Sequence, residues 1–335
     1  MDNKLNVGII GAGRIGKLHA ANAAKLQNVK IKAISDLYAD QLKDWASGLG
    51  IDNVYADYHQ ILNDPEINAV MICSSTNTHS QITIEAAKAG KHIFCEKPID
   101  YDLNRIQAAL DAVKTAGVKF QVGFNRRFDH NFKKVHELVK QGKVGTPQII
   151  KITSRDPAPP AIEYVKVSGG IFLDMTIHDF DMARYLSGSE VTEVYAAGAV
   201  LVDPAIGAAG DADTAVITLK FKNGAIGIID NSRRAAYGYD QRVEVFGAKG
   251  SITVANDTPT SAVLSTEEGV FSDKPKYFFL ERYADSFLEE VTQFFDCVLN
   301  NKETPVAGID GLKPVLIGLA AKRSYETGES VALAE

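Results

Sequence analysis

The sequence predicts an α/β domain over residues 1–123, followed over residues 124–335 by an α+β domain whose mostly antiparallel sheet carries helices on one face. Three observations carry this. Short apolar runs alternate with helix-patterned stretches as far as Gly123. A glycine-rich turn follows the first apolar run. From residue 191 onward strand signals dominate until two final helices. A chain of 335 residues is long enough for two domains.

Lys4–Ile10 (KLNVGII) is an apolar run ahead of Gly11-Ala12-Gly13-Arg14-Ile15-Gly16. Helical spacing follows through Leu18, Ala21, Ala24 and Leu26, and Val29–Asp36 alternates like a strand. A bare GxGxxG is weak evidence; strand, GxGxxG, helix, strand and acid in this order form the dinucleotide-binding Rossmann fingerprint. Gly11 serves the tight turn, Gly13 the approach of a pyrophosphate and Gly16 close helix–strand packing. Arg14 and Ile15 open a helix whose first amides point at phosphates. Asp36 stands 20 residues after Gly16, where a carboxylate meets the adenosine ribose hydroxyls. Its charge repels a 2′-phosphate, and Leu37 and Tyr38 supply no arginine, so NAD is expected rather than NADP.

The alternation continues through a helix at 39–49, Val54-Tyr55 and a short helix at 58–63. Ala69–Cys73 is a near-continuous apolar run, as expected of a parallel strand covered on both faces. It ends in Ser74-Ser75-Thr76-Asn77-Thr78-His79. Ligands of open α/β sheets sit beyond the carboxyl ends of strands, so this stretch is placed to line a cofactor. His92–Cys95 is the next strand, ending in Glu96-Lys97-Pro98. A lysine there, followed by a proline of fixed φ, points into the same crevice. Its ammonium suits a substrate oxygen that gains negative charge. A helix at 102–116, stopped by Gly117, and the strand Lys119–Gly123 complete the domain. Arg126 and Arg127 follow a strand end, where one reaches ligand oxygens or pins the domain junction.

Past a helix at 130–141, the second domain opens with a strand at 148–154 and a proline-rich loop beginning at Asp156. Gly169 and Gly170 then precede a stretch read as one helix, because Leu173, Ile177, Phe180 and Ala183 recur at helical steps. Asp174 and His178, four apart, are expected one turn apart on one face. A carboxylate beside an imidazole raises its pKa and orients the ring, which suits a proton acceptor near neutral pH. Asp174, His178 and Asp181 also have the spacing of a divalent-cation site, the weaker reading. Strands are expected at 191–202, 214–221, 225–231, 241–246, 251–255 and 262–265. Asn231–Gln241 breaks them and reaches toward the site through Tyr237. Residues 214–231 carry more apolar side chains than a wetted sheet face needs, which marks an oligomer contact. Helices around 287–298 and 310–326 end the chain.

Composition narrows the function classes. Hydrophobic residues are 45% and charged residues 23%, ordinary for a globular protein. Lys and Arg number 36 against 42 Asp and Glu, and this net charge of −6 argues against nucleic acid or an anionic membrane as partner. Cys73, Cys95 and Cys297 form no CxxC pair, two of them lie in apolar runs, and the expected compartment is reducing and cytoplasmic. No uninterrupted apolar segment is long enough to span a bilayer, and the N-terminal stretch lacks a signal-peptide pattern.

AVMICSSTNTH, FCEKP, QVGFNRRFD and GGIFLDMTIHDFD, in this order behind the fingerprint, resemble the Gfo/Idh/MocA oxidoreductases, most of all their bacterial inositol 2-dehydrogenases. The resemblance implies a Rossmann domain followed by an open-faced sheet domain, in homotetramers built sheet to sheet. It implies Lys97, Asp174 and His178 as the catalytic group. It places Asn77, His79, Glu96 and Asn125 on the nicotinamide side, and Arg127, Asp156 and Tyr237 around a polyol. Ser154 and Arg155 depart from a pattern in which some relatives offer histidine, so contacts there are left open. The expected reaction is NAD-dependent oxidation of a cyclic polyol, inositol first, to a ketone, in the crevice between the domains. Glucose or another polyol is the alternative substrate, and an NAD-sensing regulator the alternative without chemistry. No resident metal is expected.

Overall fold

The structure, a computed structural model, describes residues 4–333. It divides into two compact units, Met1–Asn125 with Asp285–Lys313, and Arg126–Ala284 with Pro314–Glu335. The expected division after residue 123 lies two residues from the first crossing. The second domain, however, is not one continuous stretch. Most of the helix Ala284–Leu299 belongs to the first unit, because its Val291, Phe294 and Phe295 join the core of Val7, Ile9, Met71 and Phe94.

Six parallel strands form the sheet of the first unit, in the order Asn53–Tyr55, Val29–Ser35, Leu5–Ile10, Ala69–Ile72, His92–Glu96, Phe120–Gly123. This is the doubly wound order, with its reversal between Leu5–Ile10 and Ala69–Ile72. Both of these central strands are almost wholly buried, which explains their unbroken apolar composition. The helix Leu103–Ala116 shows how local sequence sets the boundaries. Asp102 accepts hydrogen bonds from the Asn104 and Arg105 amides, and Gly117 ends the helix with φ 66°.

The second unit has a seven-stranded sheet, in the order Gly250–Val254, Asp240–Gly247, Pro147–Arg155, Ile226–Ser232, Thr214–Phe221, Val191–Ala199, Val331–Ala332. Pro147–Arg155 and Ile226–Ser232 run parallel, and the other neighbours run antiparallel. In Thr214–Phe221 Ala215, Ile217, Leu219 and Phe221 are buried, while Val216, Thr218 and Lys220 are exposed, as the alternation predicts. The helix Ile177–Ser187 packs on Pro147–Arg155.

Two expectations differ here. The strand expected at 262–265 is outside the main sheet: among the described residues Val263–Thr266 pairs only with Gly269–Ser272, as a separate hairpin. The strand expected to run to Val202 stops at Ala199, because Asp203 caps a short helix beginning at Pro204.

Candidate active site

In the first unit the glycine turn sits at the reversal of strand order. Gly11 has φ 91°, and a Cβ there would meet the Ser74 backbone at 2.5 Å. A Cβ on Gly16 would lie 2.0 Å from the Gly11 carbonyl oxygen. Both glycines are therefore demanded by the protein's own packing. Gly13 is different. Its φ is −68°, and a Cβ there would meet nothing within 4 Å. Glycine at this position is explained by a ligand that approaches the backbone. Exposed Arg14 and half-buried Ile15 begin the helix Arg14–Ala23, whose first turn holds no acid and whose cap residue has no side chain.

Asp36 accepts hydrogen bonds from the Ala12 amide at 2.8 Å and the Tyr38 amide at 2.9 Å, tying the second strand to the glycine turn. Each carboxylate oxygen keeps a further lone pair for a ribose hydroxyl. Thr76 and exposed Asn77 lie in the first turn of the helix Thr76–Lys88, and Ser74 and Thr78 are joined by their hydroxyls at 2.7 Å. Asn125 is 3% exposed, and among the described residues its amide nitrogen has no hydrogen-bond partner. A buried donor of this kind is what a bound carbonyl would satisfy. Together, the open position over Gly13, the uncapped helix end and this donor fit a dinucleotide.

Two expected cofactor contacts lie deeper than the sequence implies. His79 is 2% exposed, and its ring nitrogens face the Pro98 carbonyl at 2.9 Å and the Ser74 carbonyl at 3.0 Å. It braces the two post-strand segments rather than presenting a nitrogen to a ligand. Glu96 is held by His19 at 2.6 Å. Lys97 follows it, half-buried, and the Lys97 amide donates to Glu96 Oε2 at 3.3 Å.

In the second unit, the stretch read as one helix is two. Gly169 and Gly170 have φ 86° and 79°, and Ile171–Met175 then winds as a π-helix. The Ile171 amide donates to Asp211, and the Thr176 amide donates back to the Ile171 carbonyl. The α-helix Ile177–Ser187 begins only after this closure. Leu173, Ile177, Phe180 and Ala183 are all buried, so the apolar spacing was sound although the winding differs.

The wider turn sends Asp174 toward partners the α-helical spacing did not suggest. Its carboxylate accepts from the Tyr164 hydroxyl at 2.8 Å and from Arg233 Nη1 at 3.1 Å. Arg233 also lies 3.6 Å from Asp156. Burial, helped by the charge of Asp174 and opposed by Arg233, pushes the Asp156 carboxyl up to about 6. Arg233 was missed by sequence reasoning, and a signal for it existed. Gly227, Ile229 and Asn231 are the buried positions of the strand Ile226–Ser232, and one further step of that alternation reaches Arg233. The loop after this strand thus meets Asp174 through Arg233. Tyr237, 43% exposed, bonds instead to Asp240 and Arg155.

His178 sits half-buried between two anchored neighbours. Thr176 donates to Asn231 at 2.6 Å, Asn231 donates to Asp179 at 2.9 Å, and Arg126 pairs with Asp179 at 2.6 Å. Arg126 is thus the arginine that anchors this unit internally. Arg127 makes a bidentate pair with Asp181, Nη2 to Oδ1 at 2.7 Å and Nε to Oδ2 at 2.9 Å, and lies over Tyr185. That pairing overturns the three-ligand reading of Asp174, His178 and Asp181: Asp181 is committed to a guanidinium, and among the described residues these three are not a group with metal-ligand spacing.

Comparison with known proteins agrees with this reading. Residues 5–124 match an oxidoreductase family with an NAD-binding Rossmann fold, and residues 132–253 match the GFO/IDH/MocA C-terminal domain. The uncharacterized oxidoreductase YrbE of Bacillus subtilis is 55% identical over 99% of this chain and 98% of its own. The myo-inositol 2-dehydrogenase of Thermotoga maritima is 53% identical over 99% of each chain. The crystal structure of scyllo-inositol dehydrogenase from Lactobacillus casei, with bound NAD(H) and scyllo-inositol, superposes with a TM-score of 0.92 at 34% identity, covering 98% of this chain and 99% of that one. Fold and site therefore define an NAD-dependent oxidoreductase. Within that class, the chain belongs to the Gfo/Idh/MocA family.

Proposed function

We propose that the protein oxidises one ring hydroxyl of inositol to a ketone, myo- or scyllo-inositol being the substrate, with NAD as hydride acceptor. The substrate assignment rests on full-length similarity to a myo-inositol 2-dehydrogenase at 53% identity. The bound NAD supplies the hydride-accepting ring, and the protein supplies the proton chemistry and the positioning. His178 removes the hydroxyl proton as general base. Asp174 orients it, itself held by Arg233 and Tyr164. Lys97 donates to the reacting oxygen and favours it as negative charge develops. Asp156, Tyr237 and the anchored guanidinium of Arg127 hold the remaining hydroxyls. On the cofactor, Gly11, Gly13, Arg14, Ile15 and Gly16 take the phosphates, Asp36 the ribose, and Ser74, Thr76, Asn77, Asn125 and the Glu96–Lys97 strand end the nicotinamide side.

The protein works as a homotetramer joined through its C-terminal sheets. Phe246 and Ile226 both pair with Ile149 across adjacent strands, and all three are more than a third exposed, which gives one contiguous apolar row on the outer face. A cytoplasmic setting suits its three free buried thiols. Among the described residues, no helix is long and apolar enough to cross a membrane.

A panel of myo-inositol, scyllo-inositol and glucose, each with NAD and with NADP and followed at the nicotinamide absorbance, tests the assignment. Inositol with NAD is the expected preferred pair. A preference for glucose overturns the substrate. Tight NAD binding with no turnover on any polyol overturns the enzyme in favour of a sensor.

A further inference from the structure

A buried ionisable trio joins three elements of the first unit, and two of its members, His19 and Glu290, have no part in the steps above. His19 lies on the helix Arg14–Ala23, Glu96 ends the strand His92–Glu96, and Glu290 comes from the helix Ala284–Leu299. The imidazole is fully buried, edge-on to Phe94 and Phe287. Its Nε2 lies 2.6 Å from Glu96 Oε1 and 3.9 Å from Glu290 Oε1. Glu290 is also fully buried, and among the described residues neither of its carboxylate oxygens has a hydrogen-bond partner. Burial, with the charge of Glu96 added, pushes its carboxyl well above the usual carboxylate range. A Cβ on Gly123 would stand 3.0 Å from the Glu96 carboxylate, so the neighbouring strand leaves room for that group and little more.

A carboxyl buried without partners costs stability, and an apolar side chain of similar size would remove that cost. Its position behind the His19–Glu96 pair, one residue from Lys97, indicates what it does instead. We propose that His19 and Glu290 are positioning residues for Lys97: the imidazole clamps the Glu96 carboxylate, Glu290 backs the clamp, and the strand end presenting Lys97 is thereby fixed to the helix that receives the cofactor phosphates. The inference rests on the role given to Lys97 under the proposed function.

The test compares Glu290→Leu, His19→Ala and His19→Gln with Lys97→Met in the full-length protein, reading melting temperature, NAD affinity, and kcat and KM for the polyol. Glu290→Leu should melt higher than wild type, since an unpartnered acid is replaced by an apolar group. Its kcat should nevertheless fall about tenfold, the cost of a displaced catalytic group, with NAD affinity and polyol KM within about twofold. His19→Ala should lose as much in kcat, and His19→Gln, which can still donate to Glu96, should recover most of it. A merely structural pair would not separate kcat from stability in this way. Wild-type kcat in Glu290→Leu and both His19 variants, with Lys97→Met inactive, overturns the inference and leaves Lys97 in place. Wild-type kcat in Lys97→Met removes the role of Lys97, and the inference with it. Should His19→Ala fail to fold, Glu290→Leu decides alone. One equivalent of a divalent metal in the purified protein also overturns the inference, because the trio's ligand atoms lie within 4.8 Å of one another.

Discussion

Gly13 and Gly16 stand three residues apart and are glycine for different reasons. Gly16→Ala drives a Cβ into the Gly11 carbonyl and should destabilise the protein by about 3 kcal/mol, the upper end of ordinary overpacking. Gly13→Ala meets no protein atom, so its stability should stay within about 1 kcal/mol of wild type while NAD affinity falls. Urea denaturation beside NAD titration checks both, and an unchanged NAD affinity in Gly13→Ala contradicts the reading of that turn. Arg233→Met leaves two largely buried carboxylates without their cation and should cost about 3–5 kcal/mol along with turnover. Asp156 has a pH signature. Its carboxyl, at about 6 in the fold, binds a proton more tightly there than in the unfolded chain. The stability this contributes is complete below the ordinary carboxylate range and is lost as pH rises through 6. Asp156→Asn should therefore gain stability relative to wild type between pH 4.5 and pH 7, read from urea midpoints at both. A constant difference contradicts the shift. The glycines and Asp36 were legible because a fixed spacing encodes them. Arg233 was marked only by the alternation of its strand carried one step further, and Glu290 by nothing local, because the burial of its carboxyl depends on segments distant in the chain.

At the scale of elements, the segment 169–187 decides where His178 sits. Its apolar positions were readable, since Leu173, Ile177, Phe180 and Ala183 are buried under either winding. The π-turn was not readable, because it depends on Asp211 capping the Ile171 amide from 40 residues away. Such turns are frequent at functional sites, and here it frees Asp174 to meet Arg233. The following helix is anchored through Asp179, which takes hydrogen bonds from Arg126 and Asn231. Asp179→Ala leaves Arg126 buried without its counter-ion and should lower stability by about 3–5 kcal/mol. Calorimetry measures the loss, and a loss of less than about 1 kcal/mol, the value of an exposed pair, contradicts the anchoring role.

At the scale of the whole molecule, alternating apolar runs predicted the two sheets and their chain order. The return of Asp285–Lys313 to the first unit was hidden, because an amphipathic helix states that it has a buried face and not which core receives it. The outer face of the second sheet predicts assembly. Light scattering should give the mass of four chains, and Ile149→Lys with Phe246→Lys should reduce it; an unchanged mass in that variant contradicts the sheet-to-sheet contact. The central claim is that an imidazole on the second unit does the proton chemistry of an NAD-dependent alcohol oxidation. Its most direct test is kcat for inositol in His178→Ala, measured at saturating NAD. The account predicts a fall of about 10²–10⁴-fold with NAD affinity nearly intact, and wild-type turnover in that variant would contradict it.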